Sequence, residues 1–197
     1  MFKIKILPSA LLLFIGLFLS EHKETSILLL LCAIIHELGH ILLAAILKIR
    51  IKELRISISG AKIIPYSCIH SYIDEILLCL GGPLANIITF ALMLPSFKIP
   101  DSANIMALDT HSYIALLSIL ISAINLLPIK NLDGGRILFC LLSLFFGEKA
   151  GYIAIRISTF TFSLILWMFS VYLLILSHGG ISFFTFSLCM MIKIFEE

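Results

Sequence analysis

Long apolar runs with few charges occupy most of the chain and set its organisation. A helix that crosses the hydrocarbon core of a membrane needs about 20 mostly apolar residues. The pattern therefore predicts an all-α membrane protein with about six transmembrane helices. No small-residue cleavage site separates the first run from the next, so we interpret it as a retained helix and not as a signal peptide. The runs cover residues 6–20, 27–47, 76–97, 112–129, 132–147 and 157–177, with a shorter one at 181–192.

The region from residue 112 to residue 147 is interrupted near its middle. Pro128 removes a backbone donor and clashes with the preceding turn, and the pair Gly134-Gly135 weakens a helix further. The region is either two short helices or one crossing with a break. We favour the broken crossing, because non-helical backbone is tolerated at membrane depth where it is buried in protein or lines a wet cavity.

A different pattern follows the second apolar run. Apolar and polar residues alternate along residues 49–58, and Ser59-Gly60 provides a turn before residues 61–66. Period-two alternation predicts a small β-hairpin. Lysine and arginine are concentrated at residues 3–5 and 48–62, and such residues are enriched in cytoplasmic loops. We therefore predict that the hairpin and the amino terminus are cytoplasmic.

Composition supports a membrane location and excludes several classes of protein. The 197 residues are 60% hydrophobic and 13% charged, whereas a soluble domain is about 45–50% apolar and about 25% charged. Both a soluble domain and a disordered chain are excluded. A net charge of +2 without a basic cluster gives no indication of nucleic-acid binding. The five cysteines form no CxxC pair and are interpreted as inert, buried side chains.

The second apolar run contains the sequence His36-Glu37-Leu38-Gly39-His40. Residues four apart lie on one face of a helix, so the two imidazoles can bind one Zn²⁺ while Glu37 reaches a water molecule beside it. Alternatively, the histidines form helix–helix hydrogen bonds and Glu37 relays protons. We favour the metal site, because three ionisable groups at membrane depth are costly and a divalent ion compensates all of them.

A catalytic zinc ion takes three protein ligands and keeps one open position. Asp133 is the only acidic residue other than Glu37 in a predicted apolar run, and it follows the break at Pro128. A carboxylate there can meet the histidines across a pair of helices. The alternative is that Asp133 simply caps the helix that starts at Gly134.

Three motifs in this order resemble the site-2 proteases, the M50 family of intramembrane zinc metalloproteases. The resemblance implies a membrane-embedded catalytic core at about residues 27–147. It also implies one Zn²⁺ per chain, with His36, His40 and Asp133 as ligands and Glu37 as the catalytic base. The motifs are His36–His40, the stretch Gly81-Gly82-Pro83-Leu84-Ala85-Asn86, and Asn125-x-x-Pro128 with Leu132-Asp133-Gly134-Gly135-Arg136.

The compact layout is similar to the sporulation-type branch of that family. We therefore expect a single protease domain over residues 1–197, with additional helices at 151–195 and no PDZ or CBS domain. The resemblance implies regulated intramembrane proteolysis in a bacterial cell membrane, with a role in sporulation as one form of it. The expected partners are a membrane-embedded or membrane-associated protein substrate, a membrane inhibitor protein and the lipid bilayer, and not nucleic acid.

Two asparagines are candidates for contacts with substrate. Asn125 is a candidate donor to the oxyanion or to the substrate backbone, or else it forms a buried helix–helix hydrogen bond. Asn86 lines the substrate path or bonds a neighbouring helix. Two other functions stay open: a transporter or channel for divalent cations, and an inactive protease relative that binds membrane proteins. The intact set of His36, Glu37, His40 and Asp133 argues against the inactive relative.

Overall fold

Helices form most of the described part of the protein. A computed structural model describes residues 3–6, 23–57, 60–66, 71–97, 109–177 and 187–188. A single 3₁₀ turn at Leu94–Ser96 continues the second helix. In chain order, the strands and helices are β1 (Lys3–Ile6), α1 (Lys23–Ile46), β2 (Ile51–Ser57), β3 (Gly60–Pro65), α2 (Tyr72–Met93), α3 (Thr110–Asn125), α4 (Asp133–Phe146) and α5 (Glu148–Ser177).

Three of these helices are long and apolar enough to cross a membrane, at Glu24–Ile46, Tyr72–Ser96 and Glu148–Leu176. The prediction of a membrane protein is confirmed. The count of six crossings is not confirmed, because the segment from Thr110 to Asn125 is a shorter apolar helix. The first predicted run beyond residue 6, and the last run apart from residues 187–188, lie outside the described residues.

The predicted interruption after residue 125 is present. Helix α3 ends at Asn125 and α4 begins at Asp133, so seven residues separate the two helices. Pro128 lies in this connection, and the backbone N–H of Leu132 donates to the carbonyl of Ile129 at 2.8 Å. Whether the two helices form one crossing or two stays a prediction.

The predicted hairpin is part of a three-stranded sheet with the order β1-β2-β3. Strands β2 and β3 are antiparallel and are joined between Ser57 and Gly60, as the alternation predicted. Strand β1 adds a parallel partner, with Lys3 opposite Glu53. The prediction of a two-stranded element was therefore incomplete, because Lys3–Ile6 alternates over only four residues directly before an apolar run.

The first of two compact units, Met1–Leu126, contains the sheet and helices α1 to α3. Its helices bury small and polar side chains: the Ser118 hydroxyl donates to Cys32 Sγ at 3.4 Å, and the Ser122 hydroxyl donates to the Pro83 carbonyl at 3.2 Å. Lipid solvates apolar surface, so no hydrophobic driving force brings two membrane helices together. Such helices pack through small residues, which let their backbones approach closely. The outer face of α1 is apolar and exposed at helical spacing, through Ile27, Leu31, Ile34, Leu38 and Leu42.

The second unit, Leu127–Glu197, contains α4 and α5. The rings of Phe139 and Tyr152 meet edge to face with centroids 5.3 Å apart. Two hydroxyl groups of α5 hold the segment that precedes α4. The Ser158 hydroxyl donates to the Pro128 carbonyl at 2.7 Å, and the Thr159 hydroxyl accepts from the backbone N–H of Lys130 at 2.9 Å.

Candidate metal centre

The two histidines of α1 present one ring nitrogen each to a common point. His36 and His40 are 4% and 7% exposed, and their Nε2 atoms lie 3.3 Å apart. Two nitrogens that each bind a tetrahedral zinc ion at about 2.0–2.1 Å are separated by about 3.3–3.4 Å. The observed spacing therefore fits two imidazoles that share one metal ion.

Helix α2 fixes the tautomer of His40. The Nδ1 atom of His40 lies 2.8 Å from the carbonyl oxygen of Leu78. A carbonyl oxygen can only accept, so Nδ1 carries the proton and Nε2 keeps the lone pair that a metal requires. The backbone N–H of Gly82 approaches the same Nδ1 at 3.3 Å, but the shorter contact to the carbonyl decides where the proton lies.

The second histidine is contacted from the same helix by a side chain. Asn86 is fully buried in α2, and its amide nitrogen lies 3.3 Å from Nδ1 of His36. The amide oxygen of Asn86 is buried and has no hydrogen-bond partner among the residues that the structure describes. Both imidazoles thus face α2 with the ring nitrogen that does not point at the common centre.

Glycines let α2 come this close to the histidines. A Cβ atom on Gly82 would overlap the Nε2 atoms of both His36 and His40, so the absent side chain leaves open the space beside the two nitrogens. A Cβ atom on Gly81 would lie 2.6 Å from the carbonyl oxygen of Gly39. The absence of side chains at these two glycines therefore lets α1 and α2 approach closely.

Asp133 is the first residue of α4 and is half-buried. The N-cap position belongs to Leu132, so capping by the Asp133 side chain does not explain this aspartate. Gly135 allows the preceding turn to pack tightly, because a Cβ atom there would overlap the Ile129 carbonyl. His36 and His40 belong to the first unit and Asp133 to the second, so a metal site that joins all three stays a prediction.

The remaining predicted site residues occupy different environments. Glu37 is half-buried on α1 beside His36, and its Oε2 atom is buried. The amide of Asn125 donates to the Ile121 carbonyl of its own helix at 3.0 Å. An oxyanion or substrate role for Asn125 stays a prediction, and it requires this local bond to be exchanged. A substrate-lining role for Asn86 also stays a prediction, and the described structure gives that side chain no exposed surface.

Three comparisons with known proteins each give a match. The sequence model of Peptidase family M50 matches residues 94–169. The chain is 31% identical over 129 residues to stage IV sporulation protein FB of Bacillus subtilis (strain 168), which covers 64% of this chain and 42% of that protein. The solved structure of the site-2 protease from Methanocaldococcus jannaschii matches with a TM-score of 0.65 at 24% identity, covering 98% of this chain and 89% of that one. These matches give the chain a resemblance to peptidase family M50.

The residues that match the M50 sequence model contain only part of the candidate site. The matched residues include Asn125 and Asp133 but not the histidine pair. The evidence for the histidine pair is the geometry of α1 and α2. The chain spans about two fifths of the length of the curated relative, since it covers 42% of that protein. The likeness to the archaeal site-2 protease shows the fold of this chain.

The sequence analysis did not identify two contacts of the candidate site. The Leu78 carbonyl has no sequence signal, because every residue has a backbone carbonyl. Gly82 was named only as part of a motif, whereas it borders the Nε2 atoms themselves. The Gly-Gly pair is the signal that marked this position, although it does not say which of the two faces the histidines.

Proposed function

We propose that this chain is an M50-type intramembrane zinc metalloprotease that hydrolyses a peptide bond of a membrane-embedded or membrane-associated protein. The observation that supports it most strongly is the pair of Nε2 atoms 3.3 Å apart, on a helix long and apolar enough to cross a membrane. Ionisable side chains at such depth are rare and mark functional sites. A bound divalent ion accounts for the convergence of the two imidazoles.

The proposed zinc ligands are His36, His40 and Asp133. Two imidazoles and one carboxylate form a common ligand set of catalytic zinc sites, and the 3.3 Å spacing of the two Nε2 atoms supports the histidine part of it. The space that a Cβ atom on Gly82 would fill gives independent support. When bound, zinc supplies Lewis acidity, which polarises a peptide carbonyl and makes water a nucleophile near neutral pH.

Glu37 is the proposed acid–base residue. It follows His36 directly and is half-buried, and it is not one of the three proposed ligands. The carboxylate takes a proton from the attacking water and delivers it to the amine that leaves. Asn125 is the candidate that steadies the substrate backbone once its bond to Ile121 is exchanged.

The proposed substrate must be unwound locally before it is cut. The carbonyl groups of a transmembrane helix are held in its own hydrogen bonds.

Stage IV sporulation protein FB is named for sporulation, and a sporulation role for this chain is a finer proposal that deletion of the gene in a spore-forming host would test. A membrane inhibitor protein as partner and a cytoplasmic amino terminus are further proposals.

Cleavage on co-expression tests the proposed function. The full chain is produced with a panel of single-span fusion proteins tagged at both ends, and zinc is measured in the purified protease. We expect the parent to cut at least one fusion protein. Glu37→Gln should abolish cleavage and retain zinc, while the matched control Glu24→Gln, an exposed position at the start of the same helix, should leave both unchanged. Unchanged cleavage by Glu37→Gln would refute the assignment.

A further inference from the structure

Asn86 stands in an unusual position for a residue expected to meet substrate. Its side chain is fully buried, and the neighbour that it contacts is the imidazole of His36. The amide nitrogen lies 3.3 Å from Nδ1, whereas the amide oxygen has no hydrogen-bond partner within the described part of the chain. A buried acceptor without a donor costs free energy, so the orientation of this amide needs a physical explanation.

The two ends of an asparagine amide have nearly the same shape, and the hydrogen-bond chemistry decides between them. If the amide nitrogen donated to Nδ1 of His36, the imidazole would carry its proton on Nε2 and could not bind a metal there. If the amide is rotated by half a turn, its oxygen accepts from an Nδ1–H group. The rotation pairs the oxygen with this donor and leaves the lone pair on Nε2. The amide NH2 group then takes the position that has no described partner, so the choice between the two orientations rests on the tautomer that metal binding requires.

We propose that Asn86 is a positioning residue of the metal site: its side-chain oxygen accepts the Nδ1–H of His36 and holds that imidazole as the Nε2-ligating tautomer. The inference rests on the proposed zinc site. Helix α2 then provides a hydrogen-bond acceptor for the Nδ1–H of each histidine, because the Leu78 carbonyl accepts the Nδ1–H of His40 at 2.8 Å. One acceptor is main chain and one is side chain, so only the support of His36 can be changed by substitution.

The amide is suited to this position because it is a neutral acceptor. An aspartate there would accept the same proton but add a buried negative charge. The amide orients the ring without that charge. Groups that orient metal-ligating histidines typically change metal affinity about 10–100-fold when they are removed.

Three variants of the full chain, purified in detergent, test the assignment. Asn86→Asp can only accept, Asn86→Leu keeps a similar volume without polar atoms, and Thr89→Val is the matched control. Thr89 lies three residues further along α2, and its hydroxyl donates to the Ala85 carbonyl of the same helix. The measured quantity is zinc affinity by competition with a chelator, together with retention of the folded state by gel filtration.

We expect Asn86→Leu to lose zinc affinity by about 10–100-fold and Thr89→Val to lose none. Asn86→Asp should stay near the parent, because it preserves the acceptor. Equal losses in Asn86→Asp and Asn86→Leu would overturn the inference, since the amide would then act as a donor or as a packing group. An unchanged affinity in Asn86→Leu would overturn it as well.

A second measurement does not depend on the folding of a variant. Nitrogen-15 NMR of the parent with labelled histidines distinguishes the two tautomers, and we expect Nδ1–H for His36 and His40 in the zinc-loaded protein. A proton on Nε2 of His36 would contradict the inference. Zinc binding without proteolysis in the parent would refute the proposed function and leave this inference standing, whereas no zinc binding in the parent would overturn both.

Discussion

The Nε2 atoms of His36 and His40 lie 3.3 Å apart, while the Nδ1 atoms of the same rings face helix α2. Helix α1 therefore supplies the two Nε2 atoms, and its neighbour α2 sets which nitrogen of each ring carries the proton. This arrangement requires the two helices to be in close contact, which the glycines at positions 39 and 81 permit. Metal binding and helix packing are consequently coupled in the first unit.

Substitution of Gly82 tests whether the space beside the two nitrogens is the metal position. We expect Gly82→Ala to lose bound zinc, because the new methyl group would overlap the Nε2 atoms of both histidines. Metal content of the purified protein measures the effect. Leu84→Ala, at an exposed position on the same helix, is the control and should retain one zinc per chain. Full zinc occupancy in Gly82→Ala would place the metal elsewhere.

Substitution of Gly39 tests the close contact between α1 and α2. In the interior of an unobstructed helix, Gly→Ala is stabilising by about 1 kcal/mol. Here the added methyl group would overlap the Gly81 carbonyl and Ala85, so we expect destabilisation by about 1–3 kcal/mol instead. The free energy of unfolding in detergent, measured by titration with a denaturing detergent, gives the sign. A gain in stability would show that the two backbones are further apart than the structure places them.

The hydroxyl groups of α5 give a third prediction. Ser158→Ala and Thr159→Val remove the bonds to the Pro128 carbonyl and the Lys130 N–H, and each should lower the free energy of unfolding by about 1 kcal/mol. Both should also reduce cleavage, because the segment that precedes Asp133 loses its support. Ser163→Ala is the control on the same helix: its buried hydroxyl has no hydrogen-bond partner among the described residues. Equal effects at all three positions would indicate general loosening of α5.

The helix of the histidine pair and the hairpin could be predicted from sequence for simple physical reasons. A pair of histidines four residues apart lies on one face wherever the chain is helical, so the convergence of His36 and His40 needed only the helix. The hairpin followed from period-two alternation with a turn at Ser59-Gly60. The break before Asp133 followed from Pro128, since α3 ends three residues earlier.

The contacts of α2 with the site could not be predicted in the same way. Nearly every position of this helix is apolar or small, so hydropathy does not indicate which face meets α1. The role of Asn86 depends on which face of α2 meets α1. The contact of the Leu78 carbonyl has no sequence signal. Strand β1 was missed because Lys3–Ile6 is shorter than the window that alternation needs, and its pairing with β2 joins distant parts of the chain.

Zinc affinity of Asp133→Asn tests the central claim most directly, namely that this carboxylate completes the metal site with His36 and His40. The parent, Asp133→Asn and the control Asp74→Asn, from the first turn of α2, are purified as full chains and titrated with zinc against a chelator. We predict one tightly bound zinc in the parent and in Asp74→Asn. Asp133→Asn should bind zinc at least about tenfold more weakly, since it loses an anionic ligand. Equal affinity in Asp133→Asn and the parent would contradict the account.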